Sequence, residues 1–281
     1  MSSETDSTTG VVKKAQEYYN SDDADRFYYN IWGGEDIHIG LYDGSNTIFE
    51  ASHETVKLMA EKIKDCVSKE TRILDIGAGY GGSARVLAKQ FGCPVTCLNL
   101  SEVQNKRNRQ MNEEQGLADT IDVHDGNLEA LPFEDNAYDI VWCQDSVLHS
   151  GDRFKVFQEV HRVLESGGVF IFTDIMQKEP ADPERLKPVY DRIHLPSLGS
   201  LEAYDEYAQK LGWRKLEFED LSPQLPKHYS SVHDELEKRR DKVKNVISDA
   251  YVDRMLQGLK HWVAAGQESL LKWGILQYQK C

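Results

Sequence analysis

A chain of 281 residues, 40% of them hydrophobic, can bury one large domain with embellishments or a domain with a cap. Its formal net charge of −14, from 47 acidic and 33 basic residues, argues against nonspecific attraction to nucleic acid or to an anionic membrane. The apolar runs are far too short to span a bilayer, and the polar start (MSSETDSTTG) has neither the apolar core of a signal peptide nor the arginines of a transit peptide. Five cysteines without a CxxC pair suit reduced thiols, so a cytoplasmic protein is expected.

Residues 1–10 read as a disordered tail. Residues 11–69 read as an N-terminal helical lid, interrupted by an aromatic and glycine-rich stretch at 31–45 (IWGGEDIHIGLYDGS). From 70 to 281 a core follows, with strands expected at 72–76, 94–100, 120–124, 138–144, 167–175, 213–222 and 270–280. Helical spacing fills the gaps after the first, second and fourth of these and recurs at 201–212. Two cap insertions interrupt the core. One, at about 176–200, has four prolines and reads as irregular; the other, at about 227–265, reads as a long polar helix. The fold class is therefore α/β: a doubly wound, seven-stranded, mainly parallel sheet with a helical cap and ligand sites at the carboxyl ends of its strands.

Residues 73–82 (ILDIGAGYGG) join a buried strand to a helix through a glycine turn that permits positive φ and close approach by a ligand. Dinucleotide and other nucleotide binders share this unit, so the glycines alone leave the ligand open. Two further stretches narrow it. One is 99–104 (NLSEVQ), whose Ser101 and Gln104 also have capping-box spacing; the other is 125–149 (DGNLEALPFEDNAYDIVWCQDSVLH). Together, over about residues 70–175, they resemble the class I S-adenosylmethionine-dependent methyltransferases, which have a Rossmann-like fold. The resemblance implies that Asp75, Gly77 and Gly79 hold the methionyl end of S-adenosylmethionine, and that Asn99 serves the ribose. It further implies that Asn127 and Leu128 serve the adenine, with Gln104 and Gln144 nearby. The family usually has acids where Asn99 and Asn127 stand.

The loop after the fourth strand lacks the N/D-P-P-aromatic signature of enzymes that methylate exocyclic amines of nucleobases. Its DSVLH (145–149) resembles phosphobase methyltransferases instead. That resemblance implies an Asp145 that contacts the substrate amine and a His149 paired with a lid tyrosine, Tyr19 or Tyr18. If the segment is helical, its spacing puts Asp145 and His149 on one face. His149 is expected to titrate near its reference pKa of roughly 6.5. The N-terminal stretch 27–42 (FYYNIWGGEDIHIGLY), with 188–200 (PVYDRIHLPSLGS), resembles the sarcosine/dimethylglycine methyltransferases that make glycine betaine.

For such chemistry Tyr28, Tyr29, Trp32 and Tyr42 offer aromatic faces to a quaternary ammonium. Arg26, Lys178, Arg192 and His194 are candidates for the substrate carboxylate, with Arg192 and His194 preferred. The lid is expected to order over the amine when ligands bind. His53, His161, His228, His233 and His261 read as bland, and no spacing suggests a metal. The implied function is S-adenosylmethionine-dependent methylation of sarcosine and dimethylglycine to glycine betaine by a monomer or homodimer. Its alternatives are phosphoethanolamine-type or other small-amine methylation, carbon methylation of a lipid or quinone, and a cofactor-binding protein without turnover.

Overall fold

Seven strands lie side by side in the order β3-β2-β1-β4-β5-β7-β6, and only β7 runs against its neighbours. The computed structural model describes residues 10, 13, 16–44, 47–193 and 195–281. All but the last residue of the tail expected at 1–10, and part of the lid, therefore lie outside the described residues. The strands are β1 Ile73–Ile76, β2 Val95–Asn99, β3 Ile121–Asp125, β4 Tyr138–Gln144, β5 Leu164–Gln177, β6 Arg214–Asp220 and β7 Leu271–Gln279. Every side chain of β1 is buried, as its apolar run requires of a central parallel strand covered on both faces.

Helices α2 (Ile48–Ile63) and α3 (Gly82–Phe91) supply Val56, Met59 and Leu87 to the core on one face of the sheet. On the other face, α5 (Arg153–Val163) and α7 (Leu201–Lys210) supply Phe157, Val160 and Tyr204. Helix α4 (Glu102–Glu114) follows β2. Strand order reverses between β1 and β4, which opens a crevice at their carboxyl ends.

A third apolar cluster covers that end. It joins the short helix α1 (Asp22–Phe27) and the π-helical turn Tyr28–Trp32 to α6 (Pro183–Ile193), α8 (Gln224–Val243) and α9 (Asp249–Gln267). Phe27, Ile31 and Trp32 are all buried in it. Undocking them would expose three large apolar side chains at about 1.5–3 kcal/mol each, so opening of 22–32 would have to offset that cost.

Three expectations change. Residues 176–200 are not irregular throughout: β5 runs to Gln177 and α6 fills Pro183–Ile193 with Pro188 inside it. Buried Leu186, Val189 and Tyr190 hold that helix against a residue that lacks an N–H. The stretch 227–265 is two helices, the second capped by Ser248, whose Oγ accepts from Tyr251 N at 3.3 Å. Finally, DSVLH is not α-helical. Asp145 has φ 47° and only Val147–His149 forms a 3-10 turn.

Candidate active site

Two connected hollows lie over the carboxyl ends of the strands. The first is a cleft between β1 and β4, lined by Asp75, Gly77, Gly79, Asn99, Gln104, Asn127, Leu128 and Gln144, all of the residues expected at the cofactor. A Cβ on Gly77 (φ 76°) would lie 2.3 Å from Ser146 Oγ, so only glycine lets the β1 and β4 loops meet here. Of the residues expected at the cofactor, three keep buried polar atoms without a partner: Asp75 Oδ2, Gln104 Nε2 and Gln144 Nε2. One acceptor and two donors are thus available to a ligand. Burial pushes the Asp75 carboxyl up to about 7, only partly opposed by the charge of His38.

Gln144 is steadied through its other amide atom, which accepts from Trp142 Nε1 at 3.0 Å and from Ser83. Asn99 donates to Gln104 Oε1 at 2.9 Å. Ser101 caps α4, its Oγ accepting from Gln104 N at 3.3 Å, but the Gln104 side chain turns to Asn99 instead of closing a reciprocal box. Asn127 Oδ1 accepts from Glu129 N at 3.0 Å, which fixes the loop after β3.

The second hollow is an aromatic chamber under α6, α8 and α9, lined by Tyr18, Tyr28, Trp32, Tyr229 and Trp262. Arg192 enters it from α6, its guanidinium carbon 5.6 Å from the Trp262 ring and 5.8 Å from that of Tyr229. Among the described residues it has no ion-pair partner, the titratable groups that act on it most being tyrosines, and its Nε has no hydrogen bond. His194 lies outside the described residues. The other expected chamber groups are elsewhere. Tyr29 is 40% exposed under the Arg107 guanidinium at 4.1 Å, because the helical turn rotates it away from the face that Tyr28 and Trp32 share. Tyr42 bonds His228 Nδ1 at 3.0 Å. Arg26 reaches Asp22 and the Val246 carbonyl on the surface, and Lys178 is exposed.

Tyr19, Ile37, His38, Asp145 and His149 line both hollows. Tyr19, not Tyr18, bonds His149, with its hydroxyl 2.9 Å from Nε2. Asp145 accepts from Trp273 Nε1 and from Ile39 N, each at 2.8 Å. Its carboxyl is raised by burial against the pull of His38 and those two donors. His149 does not titrate near its ordinary value: burial, then the charges of Arg153 and Arg192, push it down to about 4. Asp174 holds the turn beneath it, accepting from Leu148 N at 3.0 Å.

The sequence reading passed over His38, Asp36, Trp273, Tyr229 and Trp262. Asp36 and His38 sit two apart in a stretch singled out for its aromatics, and that acid–histidine pair was the available signal. His228 is no surface residue either; it is fully buried and pushed down to about 3 by burial and the charge of His38.

A family profile described as a methyltransferase domain matches residues 74–172, the segment from β1 to β5. The sarcosine/dimethylglycine N-methyltransferase of Aphanothece halophytica is 53% identical over 96% of this chain and 98% of its own. The chain belongs to the sarcosine/dimethylglycine N-methyltransferase family. The Halorhodospira halochloris member is 47% identical over 96% of this chain and 97% of its own. A crystal structure of a Galdieria sulphuraria protein named for sarcosine dimethylglycine methylation is 42% identical, with a TM-score of 0.89. It covers 94% of this chain and 98% of that one. Like the rest of its family, the protein is an S-adenosylmethionine-dependent N-methyltransferase with a Rossmann-like methyltransferase fold.

Proposed function

We propose that the enzyme methylates sarcosine and dimethylglycine, giving glycine betaine. One observation carries this. An arginine with no ion-pair partner among the described residues stands among aromatic rings in a chamber that shares Asp145 and His149 with the cleft. A small amino acid has both halves that such a chamber recognises. Arg192 takes the carboxylate in charge-assisted hydrogen bonds. Tyr28, Trp32 and Trp262 present π-faces to a nitrogen that ends the reaction with a permanent positive charge.

Asp145, Tyr19 and His149 orient the amine at the mouth of the cleft, and the enclosing rings exclude water. In the cleft, Asp75 fits the methionyl ammonium, the Asn99–Gln104 pair fits the ribose diol, and Asn127 with Leu128 fits the adenine. S-adenosylmethionine supplies an electrophilic methyl on a sulfonium and leaves as a neutral thioether. A phosphate ester would call for more positive charge than Arg192 alone gives the described chamber wall.

The domain plan we favour keeps the N-terminal segment 11–69 as the lid and residues 70–281 as the core with its two cap insertions. No helix among the described residues is long and apolar enough to cross a membrane. A cytoplasmic monomer or homodimer that acts on free amines in betaine biosynthesis, without nucleic acid, accords with the acidic composition. Methyl transfer to a panel of sarcosine, dimethylglycine, phosphoethanolamine and a lipid acceptor tests the reading. Turnover confined to the two amino acids is expected; a preference for the phosphate ester would overturn it.

A further inference from the structure

Methylating an alkylamine in an enclosed chamber raises a proton problem, and the structure holds groups suited to solve it. This argument rests on the amine-methylating reading above. An alkylated amino group has a basicity near that of lysine, with a pKa of roughly 10, so at neutral pH it arrives as an ammonium without a lone pair. One proton must leave for each methyl added. The two groups already placed at the amine are poor acceptors. Asp145 already accepts two hydrogen bonds, and His149 shares its Nε2 with Tyr19 beside the opposing charges of Arg153 and Arg192.

His38 is better placed. It is 5% exposed and lines both hollows. Its Nδ1 lies 3.1 Å from the Ile39 carbonyl, which can only accept, so Nδ1 carries the hydrogen and Nε2 keeps the lone pair. Nε2 is buried without a hydrogen-bond partner and faces Asp36 Oδ1, equally unpartnered, at the ion-pair distance of 3.8 Å. The other Asp36 oxygen is 3.4 Å from His53 Nδ1. The His53 side chain is 32% exposed and opens on an outer cleft walled by Glu35, Arg85 and Lys89. Acid, histidine and solvent-facing histidine thus form a row from the site to bulk water.

We propose that His38 takes the proton of the substrate ammonium and that Asp36 and His53 pass it to solvent. The N–H bond of the ammonium breaks, and its electron pair stays on nitrogen as the attacking lone pair. The proton bonds to Nε2 of His38, which becomes an imidazolium between Asp36 and Asp145. Asp36, whose carboxyl despite its burial the two histidines hold well below the usual carboxylate range, carries the proton only in transit. It takes the proton from Nε2, and the carboxyl turns and gives it to Nδ1 of His53. Water at the outer cleft removes it from that same nitrogen, so that all three side chains end as they began.

The groups around His38 favour this. Asp36 faces it from its own loop, Asp75 from the end of β1, Asp145 from the end of β4 and His228 from α8, with Tyr19 and His149 at the same junction. Burial pulls the His38 ring down, but the facing Asp36 carboxylate, then the charge of Asp145, outweigh it and hold the ring above its ordinary range. Around His53 the ring of Phe49 stacks at 6.0 Å, and Glu54 is paired with Lys57.

Two measurements decide. Histidine-detected NMR on the cofactor-free protein should show His38 titrating above the roughly 6.5 of a free histidine, and Asp36→Asn should bring it down. With dimethylglycine, kcat should fall as pH drops through that titration. His38→Gln should lower kcat about 100-fold and flatten this limb. His53→Gln, at the surface, should make kcat rise with the concentration of imidazole buffer, while wild type is indifferent. A His38→Gln enzyme with the wild-type rate and acid limb, or a His53→Gln enzyme indifferent to buffer, would overturn the relay. If His38→Gln does not fold, the wild-type titration and the buffer dependence of His53→Gln decide alone. A wild-type enzyme that methylates no amine would overturn the functional reading instead, and the His38 titration stands apart from that outcome.

Discussion

The indole N–H of Trp273 lies 2.8 Å from Oδ1 of Asp145, which ties the antiparallel strand β7 to the loop after β4. Both Asp145 oxygens face donors, since Oδ2 accepts from Ile39 N. Asparagine tolerates the positive φ of this position, so Asp145→Asn leaves the turn unstrained. Its amide must nonetheless turn an N–H toward another N–H. The expected loss is about 1–3 kcal/mol of stability, read as a lower unfolding midpoint, together with a fall in methyl transfer. Trp273→Phe removes one donor and keeps most of the packing, so it should show a smaller loss of both.

His149 is held to about 4 in the folded chain, below its roughly 6.5 when unfolded. The unfolded state therefore binds the extra proton first as pH falls. The stability this group contributes is complete above about 6.5 and is lost on the way down to about 4. The difference in unfolding midpoint between wild type and His149→Gln should shrink across that window. A constant difference from pH 7 to pH 4 would contradict the burial of a neutral ring. In kinetics, His149→Ala should lower methyl transfer by about 100-fold and Tyr19→Phe by less, neither altering S-adenosylhomocysteine affinity.

Asp75, raised by burial to about 7, holds a proton in part of the molecules at neutral pH without ligand. A methionyl ammonium beside it favours the carboxylate, so binding of S-adenosylhomocysteine at pH 7 should release a fraction of a proton. Calorimetry in buffers of different ionisation enthalpy measures this directly. Affinity should rise with pH up to about 7 and then level off. Asp75→Asn should release nothing and bind more weakly.

Arg192→Met keeps the aliphatic bulk beneath Tyr229 and Trp262 but removes the cation. A charged hydrogen bond contributes about 1.5–3 kcal/mol, so KM for dimethylglycine should rise roughly tenfold to a hundredfold with the cofactor constant unchanged. An unaltered KM would move the carboxylate site elsewhere.

How much of this was legible in the sequence follows from the range of each interaction. Ile73, Leu74 and Ile76 with Gly77 and Gly79 announce a buried strand and a ligand turn within seven residues, and the structure places them so. Local patterning also put Asp145 and His149 at the end of β4. It could not give their surroundings, because the positive-φ Asp145 is held by Trp273, 128 residues away. The chamber was harder still. Tyr18 meets Tyr251 at 3.0 Å across 233 positions, and no periodicity within either segment shows that pairing. Proline counting at 176–200 misled, since packing of Leu186, Val189 and Tyr190 overrides the local cost of Pro188. His38 escaped notice because its partner Asp36 matters only once both are buried.

The most direct test of the account is a single incubation of the purified enzyme with S-adenosylmethionine and dimethylglycine, followed by mass spectrometry of the amine. The account predicts one added methyl, a product whose nitrogen is quaternary, and one S-adenosylhomocysteine formed for each. Consumption of S-adenosylmethionine on phosphoethanolamine with dimethylglycine left unchanged would contradict it.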